Sequence, residues 1–517
     1  MSFIPRSLLR ATSLVGLMTF FSRILGLIRD VLIARLFGAS MASDAFFVAF
    51  KIPNFFRRLF AEGAFSQAFV PVVTEYKEVG KIDEPGALIG ATYGILLSGL
   101  AVVVTLGVLA APVLILLFAP GFVDDEEKFE LSVALLRITF PYLAFVSLAA
   151  LLGSVLNVYR RFAVPAFTPA LLNISLIIAA IFISPLLEEP IVGLAIGVLI
   201  GGGAQLLFQY SAFAKLKIDW RIGLDVTHSG VRKILRLMAP AIFGVSVAHI
   251  NLIVDTVIAS FLVTGSISWL YYSDRIIEFP LGVFGIALAT AILPTLSQQA
   301  TANQVEEFRK TVRWSIKWAW LIALPASAGI AVLASPILTT LFSYGEMSAY
   351  DVRQSAWSLT AYALGLPAFI LIKILAPGYF ARQDMKTPVK IGVIALLTNI
   401  VLNLLLVGFL AHVGLALATA LSAWLNAMLL WLGLKKQGLV LRVDANGLFS
   451  AQLFFSTCAM VVVLAMLFEP SSVWHAWSLW DRTVNLITNV LSAMAVYFAV
   501  LFALGMRGGD FFMSENT

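Results

Sequence analysis

Apolar runs long enough to cross a bilayer follow one another along the whole chain, separated by short polar loops. About fourteen of them read as helices, near 12–36, 44–76, 88–118, 131–157, 164–185, 190–214, 234–263, 268–298, 314–342, 355–380, 388–410, 413–434, 450–468 and 483–505. A hydrocarbon core roughly 30 Å thick needs about 20 helical residues. Several of the runs exceed that, which predicts tilted or kinked helices. Val and Ile are frequent, but runs this long without period-two alternation argue against a barrel. The pattern predicts an all-α integral membrane protein.

The loops alternate in charge. One set carries Arg6 and Arg10, Lys77 and Lys81, Arg160 and Arg161, Lys215 through Arg236, Arg309 through Lys317, Arg382 through Lys390, and Lys435 with Lys436. The other carries Asp124, Asp125, Glu126 and Glu127, then Glu188 and Glu189, then Glu346 and Asp351. Lys and Arg stay on the cytoplasmic side. Both termini are therefore predicted to be cytoplasmic, as an even helix count requires. The DDEE run reads as a solvated outer loop; it lacks the partner cluster a metal site needs.

The chain also resembles itself. IVGLA at Ile191 to Ala195 matches HVGLA at His412 to Ala416, with Gln205 then falling against Asn426. Pro165 pairs with Pro388, and GLIRDVLIARLF pairs with NLIVDTVIASFL, setting Asp30 against Asp255. The offset, about 223 residues, marks an internal duplication. About six helices per copy leaves both copies in one orientation, related by an axis along the membrane normal. The expected architecture is two pseudo-twofold-related six-helix bundles, 1–225 and 226–440, facing a central cleft. Two additional helices follow in 441–517.

Composition sharpens this. Of 517 residues, 60% are hydrophobic and only 12% are charged, with mean hydropathy +0.95. A soluble domain is nearer half apolar and about a quarter charged. Cys458 is the sole cysteine, so no intrachain disulfide and no cysteine metal cluster can form. The first apolar segment is too long for a signal h-region and shows no clear cleavage site, so it reads as a retained helix.

Against that background the charges inside apolar segments stand out. Each costs at least ~2.5–3.5 kcal/mol on the insertion scale. Turning about 100° per residue from Gly26, the residues Thr19, Ser22, Arg23, Arg29 and Asp30 fall within roughly 60° of it. Phe20, Phe21, Ile24, Leu25, Leu27, Ile28 and Val31 fill the rest of the circumference. The first helix has one polar stripe and a lipid-compatible back. Arg35 lies opposite the stripe, near enough to the helix end to snorkel. In the second segment Lys51, Asn54, Arg58 and Glu62 keep helical spacing, with Arg57 adjacent, and Pro53 and Gly63 permit bending. In the second bundle Arg275 and Glu278 are one turn apart, beside Asp274 and ahead of Pro280. Internal pairing, such as Asp30 with Arg23 or Glu278 with Arg275, accounts for single residues. The arginines as a set, drawn from both repeats, point instead to an anion. A guanidinium binds phosphate oxygens two at a time and cannot lose its charge.

At these residues the chain resembles a known family. FFSRILGLIRD, SDAFFVAFKIPNFFRRLFAEGAFSQAFVPV, SWLYYSDRIIEFPLGVFGIALATAILP and APGYFARQDMKTPVKI look like the MurJ (MviN) lipid II flippases, over essentially the whole chain. The resemblance implies the oligosaccharidyl-lipid flippase branch of the MOP exporter superfamily. It also implies a multi-pass protein of the bacterial inner membrane that translocates undecaprenyl-pyrophosphate-linked peptidoglycan precursor. The family's cleft arginines fall on Arg23, Arg29, Arg57 and Arg275, which would hold the diphosphate and sugar head group, and its cleft acid falls on Asp44. The additional helices would form a groove for the polyprenyl tail. Peptidoglycan synthesis enzymes are the expected protein partners.

Some family members bind sodium. Their pattern falls on Asp255, Asn399, Asn403, Thr419 and the carbonyl of Leu415. Asn403 stands where that pattern has a carboxylate, which weakens a hard-cation site. Interhelical hydrogen bonding by Asn399 and Asn403 is the favoured reading. No cofactor is expected, and a sodium or proton gradient or the membrane potential remains as the source of drive.

Other classes fit less well. A cation-drug exporter should need acidic, aromatic cleft residues, and the first bundle is rich in Arg. Other polyprenyl-linked sugars are not separable by charge. A membrane-embedded prenyl-diphosphate enzyme wants clustered Asp for Mg²⁺ near the membrane. His228, His249, His412 and His475 form no metal or triad spacing, and no Walker motif is visible. A transporter is expected rather than an enzyme, with no nucleic-acid partner.

Overall fold

A computed structural model describes residues 6–58, 65–78, 84–440 and 447–507. Among the described residues every regular element is helical. The chain divides into two compact units, Met1–Gly265 and Ser266–Thr517.

The first unit opens with α1 (Arg6–Phe37), α2 (Met41–Arg57) and α3 (Ser66–Glu78). Then come α4 (Glu84–Leu109), α5 (Ala111–Phe118), α6 (Glu126–Thr139) and α7 (Tyr142–Val158). It ends with α8 (Ala163–Ile178), α9 (Val192–Ala214) and α10 (Ser229–Ala259). Ser40 caps α2, its Oγ accepting from Ser43 N at 3.3 Å. Asp125 caps α6, accepting from Lys128 N at 3.1 Å, and Glu126 and Glu127 fill the first turn where the helix dipole favours anions. The exposed DDEE run is therefore also the start of a helix. α1 packs on α8, α8 and α7 on α9, α2 on α6, and α3 on α7 and α10. Phe20, Phe21, Ile24 and Ile28 are exposed on the back of α1 while Arg29, Asp30, Ile33 and Ala34 are buried, as the helical wheel predicts.

The second unit contains α11 (Ser266–Pro280), α12 (Ala287–Thr301), α13 (Val305–Val332) and α14 (Ala334–Phe342). It continues with α15 (Ala349–Phe380), α16 (Lys386–Lys436), α17 (Leu448–Met466), α18 (Ser471–Ala476) and α19 (Leu479–Ala503). α15 is central, packing against α11, α13 and α16. Pro280 is followed by a widened π turn, Leu281–Ile286, the expected response where proline removes a ladder hydrogen bond. Within α16 the backbone breaks at Ala411 (φ 46, ψ −131), so two helices meet there. α17 and α19 pack on each other, and α17 lies on α13 around Leu453, Met460, Leu464 and Tyr497.

Among the described residues ten helical stretches are long and apolar enough to cross a membrane. α1, α2 and α10 are not among the ten; α2, at 17 residues, is shorter than the others. Lys386–Lys436 counts once although it holds two helices. The repeated glycines have parallel roles. A Cβ on Gly193 would lie 2.4 Å from Ser184 Oγ, and one on Gly414 would lie 2.8 Å from the Leu406 carbonyl. In each copy the glycine lets a helical hairpin close tightly.

Candidate functional site

The polar stripe of α1 is built against α8. Arg29 and Asp30 are buried, with side chains 9% and 2% exposed. Arg29 Nε and Nη2 both donate to Asp30 Oδ1, at 2.9 and 2.6 Å. Arg29 Nη1 donates to Asn173 Oδ1 at 2.8 Å. Asn173 Nδ2 donates in turn to the main-chain carbonyl of Ser22 at 2.9 Å. Asn173 lies against Gly26, where a Cβ would sit in ordinary contact 3.5 Å from Asn173 Nδ2. Asp30 thus pairs with its neighbour Arg29. Arg23 and Ser22 are half-buried on the same helix.

The charges of α2 find partners on α2 itself and on neighbouring elements. Asp44, buried at its N-terminal end, accepts from Lys128 Nζ at 3.1 Å and from Gly265 N at 2.8 Å. Lys128, the residue after the exposed DDEE run, is buried and also lies 4.4 Å from the Phe122 ring centroid. Lys51 Nζ donates to Thr256 Oγ1 of α10 at 2.5 Å. Arg57 Nε donates to Asn54 Oδ1 at 3.1 Å, and Arg58 closes the helix. Glu62 and Gly63 lie outside the described residues.

In the second unit Arg275 Nη1 donates to Glu278 Oε2 at 2.7 Å, as the one-turn spacing suggested. Its guanidinium lies 4.7 Å from the Tyr271 ring centroid. Of the sodium pattern, Asp255 is half-buried on α10 of the first unit. Asn399, Asn403 and Thr419 meet in the second unit. Asn403 Nδ2 donates to Asn399 Oδ1 at 2.9 Å, and Asn399 Nδ2 donates to Thr419 Oγ1 at 3.3 Å. Thr419 Oγ1 donates to Leu415 O at 3.0 Å. Asn399 Oδ1 and Thr419 Oγ1 thus each accept from a neighbouring amide, hydrogen bonds of the kind that join helices. Among the described residues no three His, Cys, Asp or Glu side chains gather as metal ligands would.

Three participants were not singled out from sequence: Asn173, Lys128 and Thr256. Asn173 had a usable signal, a lone amide within an apolar helix. Lys128 had none, because its burial depends on a partner distant in the chain.

What the site offers chemically is a desolvated guanidinium held between a carboxylate and an amide, on a helix whose opposite face is fit for lipid. Such a group recognises an anion with planar, paired oxygens.

Comparison with known proteins agrees. The profile of the family "Lipid II flippase MurJ" matches residues 33–488. A Vibrio cholerae protein named as a probable lipid II flippase MurJ is 46% identical over 514 residues, covering 98% of each chain. A solved structure titled as lipid II flippase MurJ in an inward closed conformation superposes with a TM-score of 0.79 at 29% identity, covering 95% of this chain and 99% of that one. An inward-facing multidrug-resistance MATE transporter of the MOP superfamily shares the fold alone, with a TM-score of 0.64 at 16% identity, over 81% of this chain and 95% of its own. From its first helix to its last the chain follows one pattern, and it belongs to the MurJ lipid II flippase family.

Proposed function

We propose that this protein moves lipid II, the undecaprenyl-pyrophosphate-linked peptidoglycan precursor, from the inner to the outer leaflet of the bacterial inner membrane by alternating access. Family membership over nearly the whole chain supports the substrate. The observation that carries the mechanism is the buried guanidinium of Arg29, kept in the membrane with Asp30 and Asn173 as partners.

On this reading Arg23, Arg29, Arg57 and Arg275 hold the diphosphate and replace water around it. Ser22, Lys51, Arg58, Glu62, Asp44, Asp30 and Glu278 supply the surrounding polar contacts. The tail stays in lipid along α17 and α19, whose outer faces expose Phe454, Phe455, Val462, Ile487 and Leu491. Pro53 and Pro280 mark where the helices flex as the units rock. Both termini face the cytoplasm, where the basic loops hold them. Membrane potential or an ion gradient resets the empty carrier, with mobile cations coupling at about 2.3 kcal/mol per charge per 100 mV. Handing the head group on to peptidoglycan synthesis enzymes would follow release.

The test is reconstitution in vesicles with lipid II and, separately, with a different lipid-linked sugar. Protected lipid II should become accessible from the opposite leaflet, and Arg29→Ala and Arg275→Ala should abolish this while still inserting. Purified protein that leaves lipid II where it started, or full activity in both variants, would overturn the reading.

A further inference from the structure

The link between α9 and α10 holds a pattern found in none of the helices. From Leu216 to Thr227 the sequence reads LKIDWRIGLDVT, apolar at every even position and polar or glycine at every odd one. Period two is the signature of an extended chain with two faces. Residues 217–225 form neither helix nor strand, Lys217 turns at φ 52, and the backbone of 219–223 lies in a groove cut by three glycines one turn apart on α4. A Cβ on Gly86 would fall 1.7 Å from the Asp219 carbonyl oxygen, one on Gly90 2.0 Å from that of Arg221, and one on Gly94 2.2 Å from that of Gly223. Gly223 N also donates to Gly90 O at 3.3 Å.

The two ends of the apolar face differ. Leu216, Ile218 and Trp220 pack into the unit, with Trp220 edge-on to Tyr93 and Phe213, both at 5.3 Å. Ile222, Leu224 and Val226 continue the same face but are 59%, 67% and 56% exposed. They stand beside a membrane-crossing helix, since Gly90 and Gly94 lie within the span Pro85–Leu109. Exposed backbone groups keep such a segment out of the hydrocarbon core and suit it to the headgroup boundary. Lys215, Lys217 and Arg221 are exposed on the polar face, and Arg232 and Arg236 are exposed on α10 just beyond. Two acids, Asp219 and Asp225, share that stretch, and Asp225 is committed to a local turn through Thr227 and His228.

We propose that Lys215–Thr227 is an interfacial anchor for anionic phospholipid. Ile222, Leu224 and Val226 sit among the acyl chains at the headgroup level. Lys215, Lys217, Arg221, Arg232 and Arg236 take the anionic headgroups of the same leaflet. Basic charge beside inserted apolar side chains is the combination that binds such a surface. The inference is independent of what the protein carries.

The test uses the full-length protein with Cys458→Ser and Leu224→Cys, labelled with an environment-sensitive fluorophore. It is reconstituted in phosphatidylcholine vesicles with and without phosphatidylglycerol. Lipids brominated near the headgroup end of the acyl chain should quench the label several-fold more than aqueous iodide does. Phosphatidylglycerol should increase that quenching, and the combined Lys215→Gln, Lys217→Gln and Arg221→Gln variant should lose the increase. Quenching by iodide to the level of a water-exposed control would overturn the proposal. So would protection from both quenchers with disulfide formation between unlabelled Leu224→Cys chains, because a second copy would then cover the face. If Leu224→Cys does not fold, Val226→Cys gives the same reading.

Discussion

Replacing Asn173 by Asp separates two roles for Arg29. Asp is nearly isosteric and keeps the acceptor facing Arg29 Nη1, now 2.8 Å away. It exchanges the donor to the Ser22 carbonyl for a second anion, beside Asp30, whose Oδ1 is 2.6 Å from Arg29 Nη2. Charges about 4 Å apart at an effective dielectric of about 20 attract by ~4 kcal/mol. A diphosphate that must take Arg29 has to overcome this added attraction, which corresponds to nearly three decades of affinity, by the rule of about 1.4 kcal/mol per decade. If Arg29 only fixes helix packing, binding and transport should follow stability alone. Asn173→Ala is the comparison, because it removes a hydrogen bond to a charged group, about 1.5–3 kcal/mol, without adding an anion. Lipid II binding by purified protein and rescue of a flippase-depleted strain should rank wild type, then Ala, then Asp. Thermal melting should rank Ala at or below Asp. An Asp variant that binds and rescues like wild type would refute a phosphate-holding role for Arg29.

Three further outcomes are expected. Arg482 is buried on α19 and donates to the carbonyls of Trp474, His475, Thr339 and Ser343 at 2.8, 2.9, 3.3 and 3.2 Å. Arg482→Met should therefore destabilise the protein by about 3 kcal/mol, seen as a lower melting temperature in detergent, and an unchanged melting temperature would contradict it. Gly90→Val should push the 219–223 segment off α4 and cost about 1–3 kcal/mol, read as faster tryptic cleavage at Lys217 and Arg221. Cleavage at the wild-type rate would show that the groove does not hold the segment. Burial, and secondarily Arg482, push the His475 imidazole below its usual range. The fold therefore favours neutral imidazole. Its stabilising effect is full above the unfolded value near ~6.5 and declines as pH falls below it. His475→Gln should flatten the fall in melting temperature on acidification from neutral pH, and identical slopes would count against it.

The fold class was legible because a bilayer permits so few spanning structures. Long apolar runs without period two leave only helices. The stripe on α1 was legible for a related reason: helical rotation alone decides that Arg29 and Asp30 share a side opposite Phe20, Phe21 and Ile28. Partners were not legible in the same way. Adjacent residues diverge by about 100°, so Arg29 with Asp30 is a poor guess from a wheel. The long Arg side chain folds back across that angle because Asn173, on another helix, holds its far nitrogen. Asp44 with Lys128 depends wholly on how α2 meets α6. The alternation in 216–226 was present in the sequence, but the lysines and arginines around it made the stretch read as a charged loop.

The Arg29–Asp30 pair has no ready explanation in stability. Each charge costs at least ~2.5–3.5 kcal/mol to insert, and well-packed apolar residues in place of a buried ion pair are often neutral or stabilising. A carrier, however, has a use for a cation that is already desolvated and already has an anionic partner. If Arg29 met the diphosphate from a hydrated state, each cycle would strip and restore its water. With Asp30 and Asn173 in place, a phosphate oxygen would exchange for a carboxylate oxygen at similar charge, so the exchange would be nearly balanced. Release would then be assisted, because Asp30, tethered one residue away, would recapture the guanidinium as the diphosphate leaves. On this argument Asp30→Asn should bind lipid II more tightly than wild type and turn over more slowly, a split between affinity and transport that a purely structural pair would not produce.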